Sequence, residues 1–358
     1  MRSKKYNKVN NKQNKTNNMN VVIEEKAIHY AKMFVIILAL ILIFTTIISS
    51  AKNTMDNSNV KAIENMKSEI DNGIVYGKSD LLILNVGQHS RNRIDSKNIR
   101  NIVVLRFDDK NQQISTVSMI TNTYVKKGNS SSYVSLVDTY DKGGKTMMNS
   151  IRDASDLNTR RYIVINDDTI LKLVNLMDFI KVNISKDEIK ILNNNINKYA
   201  KKLGIMHYTL ITAQGEQNLN GLQALAYAEL QSGKYGNISS DRRMRIVITR
   251  IVIGLRHASM ADLLKARDII LKSSENNLDS NSKVEIVSRI QKYLIKARIK
   301  WPIEYHRHTY NGVQYVFPST LVYNANLVHK KYLGETGYKP SAALKSQSRH
   351  IESVIEAI

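Results

Sequence analysis

The chain has 358 residues, no cysteine, and 53 basic against 31 acidic residues for a formal net charge of +22. The missing cysteines exclude disulfides, thiolate chemistry and an acylated lipoprotein cysteine, so any folded part is held by its core alone. With 42% apolar residues over this length the chain is not a disordered polyelectrolyte, and a core of ordinary size is affordable.

Residues 1–32 are rich in Asn and Lys, carry eight basic residues against Glu24 and Glu25, and read as a disordered basic tail. From Met33 to Ala51 there are nineteen residues without a charge, roughly 28 Å as a helix, which matches the hydrocarbon thickness of a bilayer. The positive-inside rule then keeps the N-terminus cytoplasmic and puts the rest of the chain outside. A cleaved signal peptide fits less well, because the basic region is too long and the apolar run exceeds the usual 7–15 residues. Beyond residue 32 there remain 45 basic and 29 acidic residues, net +16. Outside a cell such a charge favours phosphate-bearing wall polymers and lipid headgroups over nucleic acid.

Residues 52–79 read as a polar stalk, and 80–358 as one domain. Asp80 to Gly87 is a short apolar run ended by glycine, hence a buried strand. Ile102–Phe107 and Ile114–Met119 flank a polar turn and predict a hairpin, with Asp108 and Asp109 solvating the turn. Tyr162–Ile165 reads as a strand, followed by a helix capped from among Asp167, Asp168 and Thr169. Ser185 with Glu188 has the spacing of a capping box. Further helices are predicted over 221–230, 242–255, 260–271 and 282–297, then a terminal hairpin from Tyr305 to Val316 about Asn311-Gly312. Strands with intervening helices make the fold class α/β, with α+β as the alternative. His306 and His308 share one side of a strand but lack a third ligand, and Gly143-Gly144 lacks a following phosphate-loop signature, so both read as structure. Arg242, Arg243 and Arg245 form a basic run, either a ligand-binding patch or the exposed face of a helix whose other face is Ile246, Val247, Ile251 and Val252.

Two segments carry a resemblance. Ser118-Met119-Ile120-Thr121-Asn122-Thr123-Tyr124-Val125 is similar to the S-I-P-R-D-T-Y-V segment of the LytR-CpsA-Psr (LCP) family. Asn218-Leu219-Asn220-Gly221-Leu222-Gln223-Ala224-Leu225-Ala226-Tyr227-Ala228 resembles that family's L-N-G-x-Q-A-L-A-Y-x-R signature more closely. The resemblance implies a mixed central sheet flanked by helices. It also implies transfer of an anionic glycopolymer, a teichoic acid or capsular chain, from a polyprenyl pyrophosphate carrier to peptidoglycan. That chemistry asks for arginines at the pyrophosphate, two aspartates for Mg²⁺ and an apolar tunnel for the lipid.

Most of the charged positions are substituted. Where the family has its metal-site aspartates this chain has Gly87 and Arg100. Where it has P-R-D it has Thr121 and Asn122. Its further arginine and aspartate positions fall on Glu229, Gln231, Asn237 and Ser240, and only Arg243 is kept. A guanidinium ~4 Å from a divalent cation costs about 8 kcal/mol at an effective dielectric near 20, so Mg²⁺ is not expected at Arg100 and no cofactor is expected overall. Asp95 and Asp241 are the displaced residues that would serve an active alternative, the one reading in which Mg²⁺ returns. The expectation is therefore a pseudoenzyme of the cell membrane that binds lipid and polyprenyl-linked or anionic wall polymer, acting alone or beside an active relative, with no nucleic-acid partner. A working phosphotransferase is the alternative. A transcriptional attenuator is the third and least favoured reading.

Overall fold

The computed structural model describes residues 80–87, 99–140, 144–230, 236–272 and 275–358, all within the compact unit Asn72–Ile358. The tail, the apolar run 33–51 and the stalk lie outside the described residues. No helix among the described residues is long and apolar enough to cross a membrane.

The elements in chain order are β1 (Asp80–Asn85), β2 (Asn101–Asp108), β3 (Gln113–Met119), β4 (Tyr124–Lys126), β5 (Tyr133–Ser135), α1 (Lys145–Ser155), β6 (Thr159–Ile165), α2 (Asp167–Leu176), β7 (Ile180–Ile184) and α3 (Lys186–Leu203). They continue with β8 (Gly215–Leu219), α4 (Gly221–Ala228), α5 (Gly236–His257), α6 (Met260–Lys272), α7 (Ser280–Lys292), β9 (Leu294–Trp301), β10 (Tyr305–Tyr310), β11 (Val313–Pro318), α8 (Leu321–Asn326) and α9 (Ala342–Glu356). Five strands form the central sheet in the order β6-β1-β2-β3-β9. The outer pairs β6-β1 and β3-β9 are parallel and the inner pairs antiparallel, so the sheet is mixed, as expected.

Strand alternation divides the apolar residues between two cores. Leu81, Ile83, Val103 and Leu105 pack under α2 to α7, while Leu82, Leu84, Ile102 and Val104 pack against α1, α8 and α9. Because both faces are covered, β1 and β2 are buried almost throughout and read as continuous apolar runs.

Local signals hold at several ends. The Ser185 box is formed, its main-chain N–H donating to Glu188 Oε2 at 2.9 Å. A second box, Asn220 with Gln223, opens α4. The predicted hairpin turns about Asn311-Gly312, both at positive φ, but it is not terminal, since α8 and α9 follow it.

Two expectations fail. The cap of α2 is Asn166, whose side chain accepts from Thr169 N, and not one of the three residues after it. The helix predicted over 282–297 stops at Lys292, where Tyr293 turns extended and the chain becomes β9. The sequence Ile295, Ala297, Ile299, Trp301 alternates with period two, and pairing with β3 decides between that pattern and the helical one.

Candidate functional site

The helix-facing side of the sheet changes character at one end. Along β1 it carries Leu81, Ile83 and then Asn85, and along β2 Leu105, Val103 and then Asn101, with Asn85 opposite Asn101. Both asparagines are buried, and neither Asn85 side-chain atom has a hydrogen-bond partner among the described residues. α5 changes in step, from Leu255, Val252, Ile251 and Ile248 to Arg245 and Asp241. An apolar layer therefore ends in a polar mouth.

At that mouth lies Arg100. Its Nη2 donates to both oxygens of Asp167 at 2.7 and 2.8 Å, and its Nη1 lies 2.9 Å from Tyr199 Oη and 2.8 Å from Glu229 Oε2. Asp167 has no exposed surface, and Lys202 Nζ stands 3.9 Å from it. Burial alone would lower the Arg100 pKa, but Glu229 and then Asp167 outweigh it and raise it above the ordinary value. Burial raises the Glu229 carboxyl, with Arg100 opposing. Tyr199 is raised first by burial and then by Glu229.

The charges of Arg100 and Glu229 thus answer each other. Gly87 belongs to the same arrangement. Its φ is +67°, and a Cβ there would lie 1.7 Å from Arg100 Nη2. The guanidinium occupies the space that a side chain at 87 would need, and it holds the two nearby carboxylates as its own partners. This donor set does not fit a divalent cation. Among the described residues no group of three His, Asp or Glu side chains could hold a metal.

The other predicted positions scatter around the mouth. Asp241 Oδ1 accepts from Asn101 Nδ2 at 3.1 Å, its Oδ2 has no hydrogen-bond partner among the described residues, and the Thr121 main chain lies close by. Burial pushes the Asp241 pKa up to about 8. Ser240 accepts from Asn101 and donates to the Ala228 carbonyl. Asn122 bonds the Gln314 carbonyl, away from Arg100. Asn237 lies in the first turn of α5, and Asp95 and Gln231 lie outside the described residues.

The basic run is not one exposed face. Arg242 is exposed. Arg243 is buried against Glu188, donates to the Leu230 carbonyl at 2.7 Å and lies over the Tyr227 ring. Arg245 is buried too, facing the sheet. Asp167, Tyr199 and Lys202 were not found by sequence reasoning as site residues. The one available signal was a pair of aspartates directly after a strand, and a helix start explained it equally well. The rings of His306 and His308 lie 6.3 Å apart on the β10 hairpin.

Behind the mouth, between β1, β2, β6 and helices α5 to α7, is a cavity of about 100 Å³. Its lining, including Leu81, Ile83, Leu105, Ile251, Val252 and Leu255, is almost entirely aliphatic.

Comparison with known proteins agrees with this layout. The polyisoprenyl-teichoic acid–peptidoglycan teichoic acid transferase TagV of Bacillus subtilis (strain 168) is 24% identical over 237 residues, covering 63% of this chain. The match spans 56% of that protein, so the chain covers only about half the length of this curated relative. The crystal structure of B. subtilis TagT superposes with a TM-score of 0.54 at 16% identity, covering 73% of this chain and 91% of that one. The LytR-CPS2A-psr family protein YwtF (TagT) with bound octaprenyl pyrophosphate lipid gives 0.50 at 16%, covering 73% and 92%. At these identities the likeness to solved structures establishes the fold. The profile of the LytR_cpsA_psr family matches residues 45–331, which takes in the whole central sheet, the described helices other than α9 and the Asn218–Ala228 motif, and the chain belongs to that family.

Proposed function

We propose that this chain binds a polyprenyl-linked anionic glycopolymer at the cell envelope without transferring it. The observation that carries the reading is Arg100, held between Asp167 and Glu229 where the family motif places a metal-binding aspartate. A guanidinium already satisfied by two carboxylates supplies neither a Lewis acid nor a free cation for a departing diphosphate. The aliphatic cavity supports the binding half of the reading, since holding a lipid tail depends on apolar area and not on those charges. Bound lipid-linked polymer would be kept for, or presented to, an active relative. The relatives' wall-polymer chemistry and the phosphate-rich polymers it handles suit the basic outer region.

The test uses the full chain in detergent with a short-chain polyprenyl pyrophosphate and Mg²⁺. We expect saturable binding with no release of phosphate above a metal-free control. Turnover abolished by Asp95→Ala or Asp241→Ala would instead establish the displaced-residue transferase. The division into a cytoplasmic tail (1–32), a membrane span (33–51), a stalk (52–79) and an outer domain (80–358) is part of the proposal. Protease added to protoplasts should digest the outer domain and spare the tail, and protection of the domain would overturn this placement.

A further inference from the structure

Helix α1 carries Lys145, Asn149 and Arg152 at spacings of four and three, so their side chains form one stripe along its surface. β6 runs beside it, and strand alternation sends its consecutive arginines to opposite faces of the sheet. Arg161 goes to the layer of α7, where it meets Glu285 at 2.9 Å. Arg160 goes to the side of α1, as does the Tyr162 ring. Between the stripe and Arg160 is an open cavity of about 510 Å³, with the buried Thr159 and Tyr162 at its floor. Its outer wall includes Asn277, in a strap that covers the free edge of β6. Val164 N donates to the Glu275 carbonyl at 2.8 Å, and Tyr162 N to Asn277 Oδ1 at 2.7 Å.

Among the described residues the cavity is lined by three cations and no carboxylate. Glu275 of the strap is engaged elsewhere, its Oε1 accepting from Tyr140 Oη and Tyr162 Oη at 3.0 and 2.9 Å. The two arginines are positioned without being neutralised. Arg160 Nε donates to Asn158 Oδ1 at 3.0 Å, and Arg152 Nη2 to Asn149 Oδ1 at 2.8 Å. The one opposing charge among their described contacts is Asp153, 3.7 Å from Arg152 Nε and outside the lining. By contrast Arg100, Arg106, Arg161, Arg243 and Arg289 each hold a carboxylate. The groups left unused around the cavity are Lys145 Nζ, Asn149 Nδ2, Arg152 Nη1 and the two terminal nitrogens of Arg160. All of them are N–H donors, and a cavity with donors alone to offer is complementary to oxyanions. Lys145 and Arg152 stand seven helical residues apart, about 10 Å. Asn149 and Asp153 hold Arg152 at its own end, so the two cations do not close on a single phosphate. The stripe suits a chain that repeats its negative charge.

We propose that the cavity between α1 and β6 binds a segment of a phosphodiester-linked carbohydrate chain, with one phosphate at Lys145 and the next at Arg152 and Arg160. The site lies on the opposite face of the sheet from α5, Arg100 and the aliphatic cavity. It also lies toward the other end of β1 and β6, where Thr159 pairs with Asp80. The choice of a polymer as ligand rests on the proposed function, whereas the oxyanion cavity itself does not.

The experiment is calorimetric titration of the full chain in detergent with a short poly(glycerol phosphate) oligomer, without added metal. Arg152→Met and Arg160→Met should each weaken binding about tenfold, the loss of one charge-assisted contact. Arg160→Lys should lose less than Arg160→Met. Lys110→Met and Lys345→Met, exposed charges elsewhere, should change binding less than twofold. Equal losses at all four positions, or an oligomer that does not bind, would overturn the site. Should Arg152→Met fail to fold, Arg160→Met on the exposed strand edge decides alone. Glycerol 3-phosphate is the second probe and should bind about tenfold more weakly than the oligomer, since it meets only one end of the stripe. A monomer that binds as tightly would point to a free phosphate and overturn the polymer. A short-chain polyprenyl pyrophosphate forms the third arm, and its binding should not respond to Arg152 or Arg160. Lipid binding in a chain that takes up no oligomer would sink this inference and leave the proposed function standing. Oligomer binding that needs Arg160, in a chain that holds no lipid, would do the reverse.

Discussion

Arg100 Nη1 and Glu229 Oε2 stand 2.8 Å apart, joining two residues of opposite charge that lie 129 positions apart in the chain. The pair predicts strong coupling. Glu229→Arg alone would place two guanidiniums in contact in a mostly buried setting and should destabilise the domain by roughly 3 kcal/mol. Combined with Arg100→Asp, much of that loss should return. A double-mutant cycle in urea measures this, and additive effects would show that the two residues do not act together.

Gly87 makes the order of any reversion matter. Gly87→Asp alone collides with the Arg100 guanidinium at a positive φ and should cost about 2 kcal/mol or more. With Arg100→Asp added, the space is cleared and four carboxylates, counting Asp167 and Glu229, face one another. That double variant should gain a thermal midpoint that rises by a few degrees in millimolar Mg²⁺, as expected for a ligand bound only by the folded state. The unmodified chain should not respond. An equal Mg²⁺ response in both would contradict the account of Arg100 given above.

Asp241 carries a pH dependence of definite sign. Folded, it holds its proton up to about pH 8, whereas an aspartate in an unfolded chain loses it at about pH 3.9. Between those limits the unfolded chain gives up the proton and the folded chain keeps it, so this residue's contribution is complete below about pH 4 and lost by about pH 8. Asp241→Asn removes the titration. Relative to the unmodified protein it should be more stable at pH 8 than at pH 5, by on the order of 1–3 kcal/mol. A stability difference that does not change between the two pH values would refute the neutral, buried carboxyl.

Filling the cavity separates lipid binding from folding. Val287→Phe adds ring atoms where Val287 already lines the space, so it should cost less than about 1.5 kcal/mol. Binding of a polyprenyl pyrophosphate should fall at least tenfold, while the urea midpoint should change little. Unaltered lipid binding in a folded variant would place the tail elsewhere.

Much of the scaffold was legible in local chemistry. The apolar runs of β1 to β3, the Ser185–Glu188 box and the Asn218–Ala228 motif depend on neighbours within a few residues. The substitutions at Gly87, Arg100 and Glu229 were equally visible. Their meaning was not, because Arg100 and Glu229 are 129 positions apart and nothing local joins them. The buried partner Asp167 was hidden for the same reason. Arg242, Arg243 and Arg245 look alike in sequence, and the helix sends them to solvent, to Glu188 and to the sheet in turn. β9 was misread because its alternating pattern follows a helix with no glycine or proline between them.

The fifth strand has a consequence in time. Its partner β3 is complete at Met119, but Trp301, which lies opposite Met119, is made about 180 residues later. At roughly 5–20 residues per second of synthesis, that delay is on the order of 10–40 seconds. Throughout it, the edge of β3 has no parallel neighbour. Every nascent chain consequently passes through an interval with an open strand edge that is free to pair wrongly.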